Sequence, residues 1–411
     1  MTRSAYTVSH LEAAEDAFSF SSEVPAHARE LLRSVRQSQN TADIPDSMKL
    51  ALWVVAPVLA GFAGWLASNI CAHDALPLGV MREGRFLCRL MRSCDLEARE
   101  FALNRHFALL AAYGSGDDEA MLNWLVRTRT APLSHAGLKQ AFPLYDRVAS
   151  SDIIDIETAR HLVATWRTMG QASPVYAVAQ QAANDVLRHW RKTIGQDKPR
   201  AVALMDFACA GNIQRSLQTL LRRHEDTMPL LGLNFLTTPG TRWAQATGCA
   251  IHGFLAEDGQ PEWISTAYAR TPELAEIFVA AAPLGPLSGY RADGTPKWGP
   301  SLLDTTARKM MVTEWQDQIL AAAKLYWQVM GSSLSPEFCR FLWGRLLLHP
   351  LPEEVSVVGD WPLDAGLDLQ ARRTLAPVLN KGTPETWTKI DTAWPAGTHL
   401  RNTMQRISQS Q

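Results

Sequence analysis

Two short segments of the chain place charged or amide side chains beside a glycine, directly after an apolar run. The first is Arg82-Glu83-Gly84, which follows the apolar residues 78–81. An arginine offers a two-pronged fork to phosphate or carboxylate, and a glycine lets the backbone approach a ligand closely. We therefore assign Arg82, Glu83 and Gly84 to substrate binding. The alternative is a surface ion pair between Arg82 and Glu83, worth about 0–1 kcal/mol.

The second segment, DFACAGNIQ, begins at Asp206 and ends at Gln214. Asp206 closes an apolar run, and the small residues that follow leave room for a ligand. We expect Asp206 to act as a catalytic residue that binds sugar hydroxyls, and Gln214 to orient the acceptor or the leaving group. The amides of Gly211 and Asn212 would bind phosphate, because a helix N-terminus offers N–H groups and the positive end of the helix dipole. Alternatively, Asp206 is a helix cap or a turn residue.

Other polar residues next to apolar runs are weaker candidates. Arg105 ends a second short apolar run, and we assign it to the acceptor or leaving group, whereas the adjacent His106 is more often structural. Tyr290 follows Gly289 and either lines the substrate pocket or lies in an ordinary loop. Cys209 lies where a helix N-terminus can lower a thiol pKa, but no partner base is evident. His252 interrupts an apolar strand and is expected to be a core or rim residue.

Composition excludes several functional classes. The 411 residues contain 40 Lys+Arg and 41 Asp+Glu, a formal net charge of −1, which argues against general nucleic-acid binding. There is no CxxC and no His pair at ligand spacing, so no structural zinc site and no dedicated metal site is predicted. Mg²⁺ remains a candidate cofactor, because a diphosphate leaving group favours a divalent cation. The six scattered cysteines are expected to be reduced thiols.

The order of apolar and polar segments predicts an α/β fold. Short apolar runs followed by turns and helices are typical of a parallel sheet, here Rossmann-like, with a large helical insertion and a helical C-terminal region. Residues 1–46 are expected to form a polar helical segment. Residues 47–330 would form the α/β core, with the insertion at about 117–195, and residues 331–411 a helical, loop-rich region.

One uncharged segment, residues 50–72, is long enough to span a bilayer. We expect instead a buried helix, or two helices broken near Pro57, because the segment is rich in Ala and Gly and stands alone. Membrane association through this segment is the alternative. No signal peptide is evident at the N-terminal end, and we expect a cytoplasmic protein.

The two turns belong to a wider resemblance that covers residues 51–398. In order, the segments APVLAGFAGWL, LGVMREGRFL, FALNRHFALLA, VALMDFACAGNIQRSL and LLGLNFL, then Glu273, Gly289-Tyr290 and Trp394-Pro395-Ala396-Gly397, resemble the C-terminal module of a group of large bacterial proteins. In that group a haloacid-dehalogenase-like phosphatase domain precedes the module, and the genes lie among those for glycosyltransferases and surface polysaccharides. The N-terminal end here lacks the DxDx(T/V) motif, so the resemblance does not imply phosphatase activity. Cys209 replaces the usual aromatic residue of the second turn.

A looser similarity is to phosphoribosyltransferase-like folds, which also carry a glycine-bearing loop and an acidic strand end before a phosphate loop. That fold usually has two acidic residues where this chain has only Asp206. These likenesses imply a transferase that acts on a nucleotide-sugar or a phosphoribosyl-type donor in polysaccharide biosynthesis. The alternative is a non-catalytic nucleotide or sugar-phosphate sensor, or a scaffold. A homo-oligomer or a partner protein that supplies a missing activity is also expected.

Overall fold

The computed structural model describes residues 6–18, 24–40, 44–81, 83–126, 134–142, 153–196, 199–279, 285–300, 306–362, 374–379 and 392–409. At its centre lies a five-stranded sheet in the order β2-β1-β3-β4-β5, and every neighbouring pair is parallel. The strands are β1 (Ala75–Val80), β2 (Arg99–Phe101), β3 (Ala201–Cys209), β4 (Leu230–Thr237) and β5 (Ala250–Gly253). The prediction of an α/β fold with a parallel sheet is confirmed.

Helices cover both faces of this sheet, which explains why its strands are almost uninterrupted apolar runs. All eight residues of β4 are buried, as expected for a parallel strand between two helical layers. Along β3, Met205 and Phe207 pack on one layer, whereas Val202 and Leu204 pack on the other. This alternation follows from the two-residue period of a strand.

The first layer contains the helix that connects β1 to β2 together with helices from both ends of the chain. These helices are α1 (Val8–Asp16), α2 (Ala26–Ser38), α3 (Asp46–Leu50), α4 (Ala56–His73), α5 (Glu83–Ser93), α13 (Glu262–Arg270), α14 (Pro272–Val279), α15 (Thr306–Met330), α16 (Pro336–Leu348), α17 (Pro352–Val358) and α18 (Pro395–Gln409). Their core is continuous from Tyr6 to Trp394.

The second layer consists of helices that follow β2, β3 and β4, including those of the expected insertion. They are α6 (Arg105–Gly114), α7 (Asp118–Val126), α8 (His135–Ala141), α9 (Ile156–Met169), α10 (Pro174–Ile194), α11 (Asn212–Arg223) and α12 (Thr241–Gln245). A two-stranded antiparallel hairpin, β6 (Leu287–Tyr290) and β7 (Pro296–Trp298), packs beside α10.

The apolar segment 50–72 lies in one continuous, mostly buried helix, so of the two alternatives the single buried helix is observed, without a break at Pro57. The chain accommodates this proline with a π-helical turn, Ala51–Val55, between α3 and α4. Proline has no N–H to donate to the carbonyl four residues earlier, which is that of Trp53. The buried guanidinium of Arg36 donates to this oxygen instead, at 3.0 Å from Nε and 2.8 Å from Nη2.

Within the described residues, this helix, Asp46–His73, is the one that is long and apolar enough to cross a membrane. However, 89% of its most apolar 18-residue window is buried inside the molecule. A core helix of a soluble protein can be equally long and apolar, and such a helix is mostly buried, as this one is.

Candidate functional site

The strand order brings the two predicted turns together. β1 and β3 are neighbours in the sheet, yet the helices that follow them, α5 and α11, lie on opposite faces. In open parallel sheets this arrangement opens a crevice at the carboxyl ends of the two strands, which is where ligands bind. The crevice between β1 and β3 is therefore the candidate functional site.

Strand β3 is longer than the sequence pattern predicts. The residues after Asp206 were expected to form a turn, but the strand continues to Cys209, because β4 supplies hydrogen-bonding partners as far as Thr237. Gly79 of β1 is aligned with Met205, so Asp206 lies level with Val80, the last residue of β1. Asp206 thus lies three residues before the end of its own strand, beside the end of β1.

The turn after β1 is tight and strained. Met81 has a φ angle of +67°, a conformation that is uncommon for a bulky side chain and is associated with functional sites. A Cβ atom on Gly84 would approach the backbone of Gly79 to 2.1 Å, so only glycine permits this contact of α5 with β1. Arg82 lies outside the described residues. Glu83 is the first residue of α5 and is 7% exposed.

The turn after β3 is completed by Gly211, as the sequence predicts. Its φ angle is +79°, and α11 has no side-chain cap at its N-terminus. A Cβ atom at this position would lie 2.6 Å from Cβ of Ala244 and 2.8 Å from Cδ1 of Ile251. The positive φ and the close packing both require glycine here.

The carboxyl group of Asp206 is the perturbed acid of the crevice. Burial, and to a smaller extent the negative charge of the Glu83 carboxylate, raise its pKa to about 7. The N–H of Phe207 donates to Oδ1 at 2.7 Å and acts in the opposite direction. An acid with a pKa near neutrality can both donate and accept a proton at the pH of a cell. Asp206 and Glu83 are therefore a coupled pair of carboxyl groups at the junction of the two turns.

Helix α7, which lies in the expected insertion, contacts the first residue of α11. Nδ2 of Asn123 donates to Oδ1 of Asn212 at 3.4 Å. Arg215 pairs with Asp117 at 2.7 Å and lies over the ring of Trp243 at 3.9 Å. Sequence reasoning missed Asn123 and Asp117, because nothing local to either residue indicates that it packs against a turn about 90 residues later in the chain.

Gln214 is engaged in the fold. Its Nε2 donates to the carbonyl oxygens of Leu230 at 3.2 Å and Ala250 at 2.9 Å, and its side chain lies against Gly232 in the middle of β4. These contacts place the Gln214 amide against the sheet. Its predicted role in orienting an acceptor or leaving group stays a prediction.

Arg105 is the first residue of α6, at the carboxyl end of β2, and is partly exposed. Asn104 caps this helix by accepting from the N–H of Phe107 at 2.8 Å. The ring of His106 lies 5.5 Å from that of Trp124, and burial lowers its pKa to about 4. His106 is therefore neutral near pH 7, and the catalytic role expected for Arg105 stays a prediction.

Tyr290 supports the end of β2. Its hydroxyl donates to the carbonyl oxygen of Ala102 at 2.6 Å, and only 6% of the residue is exposed. Nε2 of His189 accepts from the N–H of the same Ala102 at 3.0 Å, and Nδ1 lies 2.9 Å from the oxygen of Gly294. Sequence reasoning did not identify His189. The substrate-binding role assigned to Tyr290 stays a prediction, and its hydroxyl is used here by the backbone.

Two further candidates lie on β3 and β5. The side chain of Cys209 lies outside the described part of the structure, so its reactivity stays a prediction. His252 lies at the end of β5 with Nδ1 3.3 Å from Oε1 of Glu257, and both side chains are about half exposed. Among the described residues, no group of three or more His, Cys, Asp or Glu side chains is placed to hold a metal ion.

Comparison with protein-family models and with curated proteins found no match for this chain.

Proposed function

We propose that the crevice between β1 and β3 binds an activated sugar phosphate, either a nucleotide-sugar or a phosphoribosyl-type donor, and that the protein transfers its glycosyl group. One observation carries the proposal. Two glycine-bearing strand-to-helix turns lie side by side at the switch point of a parallel sheet, with an acid of pKa about 7 level with them. The strand order 2-1-3-4-5 is one of the two common orders of doubly wound sheets, and such sheets bind nucleotides at this position.

The N-terminus of α11 would bind the donor phosphates. Its first turn has no side-chain cap, and the helix dipole favours negative charge there. Asn212 and Asn123 add amide groups beside it. Arg82 follows Met81 directly and would supply a guanidinium to the same phosphates, as the sequence predicts.

Asp206 would contact the donor or the acceptor hydroxyl. Because its pKa is about 7, it can accept the proton that an acceptor hydroxyl releases on attack, or return one to a leaving oxygen. Burial, assisted by the carboxylate of Glu83, holds the pKa of Asp206 in this range. Most of the rate acceleration would come from positioning the donor and from stabilising charge on the departing diphosphate.

Glu83 would hold Mg²⁺ together with the donor phosphates. The ion is commonly held by one or two carboxylates together with substrate phosphates, and it keeps several waters. The Asp206 carboxyl, whose pKa is raised in part by the charge of Glu83, would stay available for proton transfer. When bound, Mg²⁺ would neutralise the charge that develops on the diphosphate.

A binding and turnover experiment tests the proposal. The protein is incubated with UDP-glucose, other nucleotide-sugars and phosphoribosyl pyrophosphate, with and without Mg²⁺, while its thermal stability is recorded. A ligand at 100 times its dissociation constant adds about 2.7 kcal/mol of stability. We expect a shift that disappears in Arg82→Ala. We also expect slow release of diphosphate, seen by ³¹P NMR, with water accepting the glycosyl group, and this release should disappear in Asp206→Asn.

Asp155→Asn is the matched control for the acid, because Asp155 caps α9 through the N–H of Thr158 and asparagine can do the same. This variant should bind and turn over donor like the unchanged protein. Absence of any ligand shift in a folded protein would overturn the proposal.

A non-catalytic sensor is the second candidate, and one observation favours it. Two of the residues expected to serve the ligand, Gln214 and Tyr290, use their polar atoms in hydrogen bonds to the backbone. A sensor would bind the same donors with no release of diphosphate at any pH. Cytoplasmic location and a homo-oligomeric or partner-dependent assembly belong to either proposal.

A further inference from the structure

A separate cavity lies in the first helical layer, between α13, the end of α16 and the start of α18. Its volume is about 650 Å³, which is within the range of pockets that hold small molecules. None of the lining residues that the structure describes belongs to the two turns. Six of these ten described residues are apolar, and together they are Glu262, Trp263, Thr266, Ala267, Arg270, Thr271, Leu347, Leu348, Pro395 and Ala396.

The indole of Trp263 forms one wall, and its position depends on a glycine. A Cβ atom on Gly344 would lie 2.4 Å from the Trp263 ring, so the indole rests directly on the backbone of α16. Phe18 supports the ring at a centroid distance of 6.2 Å. Trp263 is partly exposed and faces the cavity together with the buried Ala267 and Leu347. A partly exposed, well-supported indole is typical of a surface that binds an apolar group.

Charge is distributed unequally along this cavity. Arg270, at the end of α13, is exposed and has no hydrogen-bond or ion-pair partner among the residues that the structure describes. Glu262, at the start of the same helix, is also exposed. Eight residues of helix separate the two charges by about 12 Å. An anionic group entering the cavity is attracted to the Arg270 end and repelled from the Glu262 end.

We infer that this cavity is a binding site for a small amphipathic anion. Its alkyl or aromatic body would lie against Trp263 and Leu347, and its carboxylate, sulfonate or phosphate group would pair with Arg270. A guanidinium suits all three head groups, because each presents two oxygens to its fork. The site is independent of the donor site in the crevice between β1 and β3, so a failure of one proposal leaves the other intact.

The dye 8-anilinonaphthalene-1-sulfonate tests the site, since it combines an aromatic body with an anionic group and fluoresces when its surroundings are apolar. We expect saturable binding of one dye per chain. Thr266→Trp places a large side chain at the exposed mouth of the cavity and should weaken dye binding at least tenfold. Arg270→Gln should weaken it about tenfold, whereas Arg160→Gln, an exposed arginine on α9, should leave it unchanged.

The uncharged analogue N-phenyl-1-naphthylamine separates the two parts of the site. Thr266→Trp should weaken its binding like that of the dye, while Arg270→Gln should change it less than twofold. Dye binding that is unaffected by Thr266→Trp would locate the dye elsewhere and overturn the inference. Equal loss of both probes in Arg270→Gln would also overturn it, because the arginine would then act through packing rather than charge.

Competition identifies the ligand body. Displacement of the dye by dodecanoate indicates an alkyl anion, and displacement by 1-naphthoate indicates an aromatic one. If neither compound displaces the dye at millimolar concentration, the cavity binds the dye only and the inference fails.

Discussion

The carboxyl group of Asp206 is coupled electrostatically to that of Glu83, across the junction between β3 and the start of α5. Burial disfavours the charged form of Asp206 and the negative charge of Glu83 adds to this effect, so Asp206 retains its proton at a higher pH than it would in water. The consequence is a site whose charge changes near pH 7. Both the stability of the protein and its affinity for anions should therefore depend on pH in a defined direction.

Asp206→Asn should stabilise the fold above neutral pH. The folded pKa is about 7 against an ordinary 3.8, so the folded state holds a proton that the unfolded state has released between these values. Stability contributed by Asp206 therefore falls as pH rises from 3.8 to 7. We expect the free energy of unfolding of the variant to exceed that of the unchanged protein by about 1–4 kcal/mol at pH 8, measured by urea denaturation.

The pH profile of this difference is its signature. The difference in free energy of unfolding between Asp206→Asn and the unchanged protein should be absent near pH 4. It should grow as the pH rises from 4 to 7 and level off above pH 7. Glu83→Gln removes the neighbouring negative charge and should lower the pKa of Asp206. The pH range over which the difference grows should then end at a lower pH. An advantage that is constant with pH would show that Asp206 is not the group that titrates.

Binding of a nucleotide-sugar without Mg²⁺ should weaken as the pH rises. Below pH 7 the Asp206 carboxyl is largely protonated, and above it the additional negative charge repels the diphosphate. Each phosphate of UDP-glucose carries one ester and one anhydride linkage and keeps a single, strongly acidic oxygen, so the charge of its diphosphate stays constant in this range. We expect the dissociation constant, measured by calorimetry, to rise about tenfold from pH 6 to pH 8, and to remain constant in Asp206→Asn. An opposite slope in the unchanged protein would contradict this electrostatic account.

The pattern of the sequence was sufficient to predict the parallel sheet and the glycines of the two turns. Both are local features: an apolar run bounded by Gly211 or Gly84 predicts a strand, a turn and a helix without knowledge of the rest of the chain. The adjacency of β1 and β3 follows from the strand order, which a long helical insertion between β2 and β3 obscures. The sequence pattern also predicted that β3 ends too early, because the last residues of β3 are held in the strand by pairing with β4.

The side-chain partners depend on contacts between distant segments, which no local pattern contains. Gln214 follows the turn as a phosphate-binding residue would, yet its amide is used by the carbonyls of β4 and β5. His189 looks like one polar residue of an amphipathic helix, but it contacts the backbone 87 residues before it and 105 residues after it. Site chemistry was therefore less predictable than site position.

The buried pair of Arg36 and Glu15 should be essential to the N-terminal layer. Their side chains are 1% and 6% exposed and form two hydrogen bonds of 2.7 and 2.8 Å. Arg36→Met leaves the Glu15 carboxylate buried without its partner and the Trp53 carbonyl without its donors. Removal of one member of such a pair typically costs about 3–5 kcal/mol. Urea denaturation should show this loss.

A double-mutant cycle separates the pair from its surroundings. Glu15→Leu combined with Arg36→Met removes both charges, and we expect the double variant to be more stable than Arg36→Met by at least about 1 kcal/mol. Arg33→Met is the matched control, because Arg33 pairs with Glu12 at the exposed surface, where such pairs contribute about 0–1 kcal/mol. Additive losses in the cycle would contradict coupling between Arg36 and Glu15.

His189 should make the fold sensitive to acid. Burial lowers its pKa to about 4, and its neutral ring accepts from Ala102 at Nε2 while Nδ1–H donates to Gly294. Between the ordinary pKa of 6.5 and this value the unfolded state binds a proton that the folded state does not, so stability falls as the pH drops through that window. Burial lowers the pKa of His106 in the same way. Together the two residues predict that unfolding in this pH range takes up as many as two protons.

His189→Phe isolates one of these protons, because a phenyl ring preserves the stacking on Phe101, whose ring is 5.1 Å away and nearly parallel. The variant loses both hydrogen bonds, which should lower the free energy of unfolding by about 1–3 kcal/mol at pH 7. The pH dependence of its free energy of unfolding in acid should correspond to up to one proton fewer than in the unchanged protein. His161→Phe alters an exposed histidine and should change neither quantity. If His189→Phe loses stability but keeps the full slope, the residue is structural and a different group responds to acid.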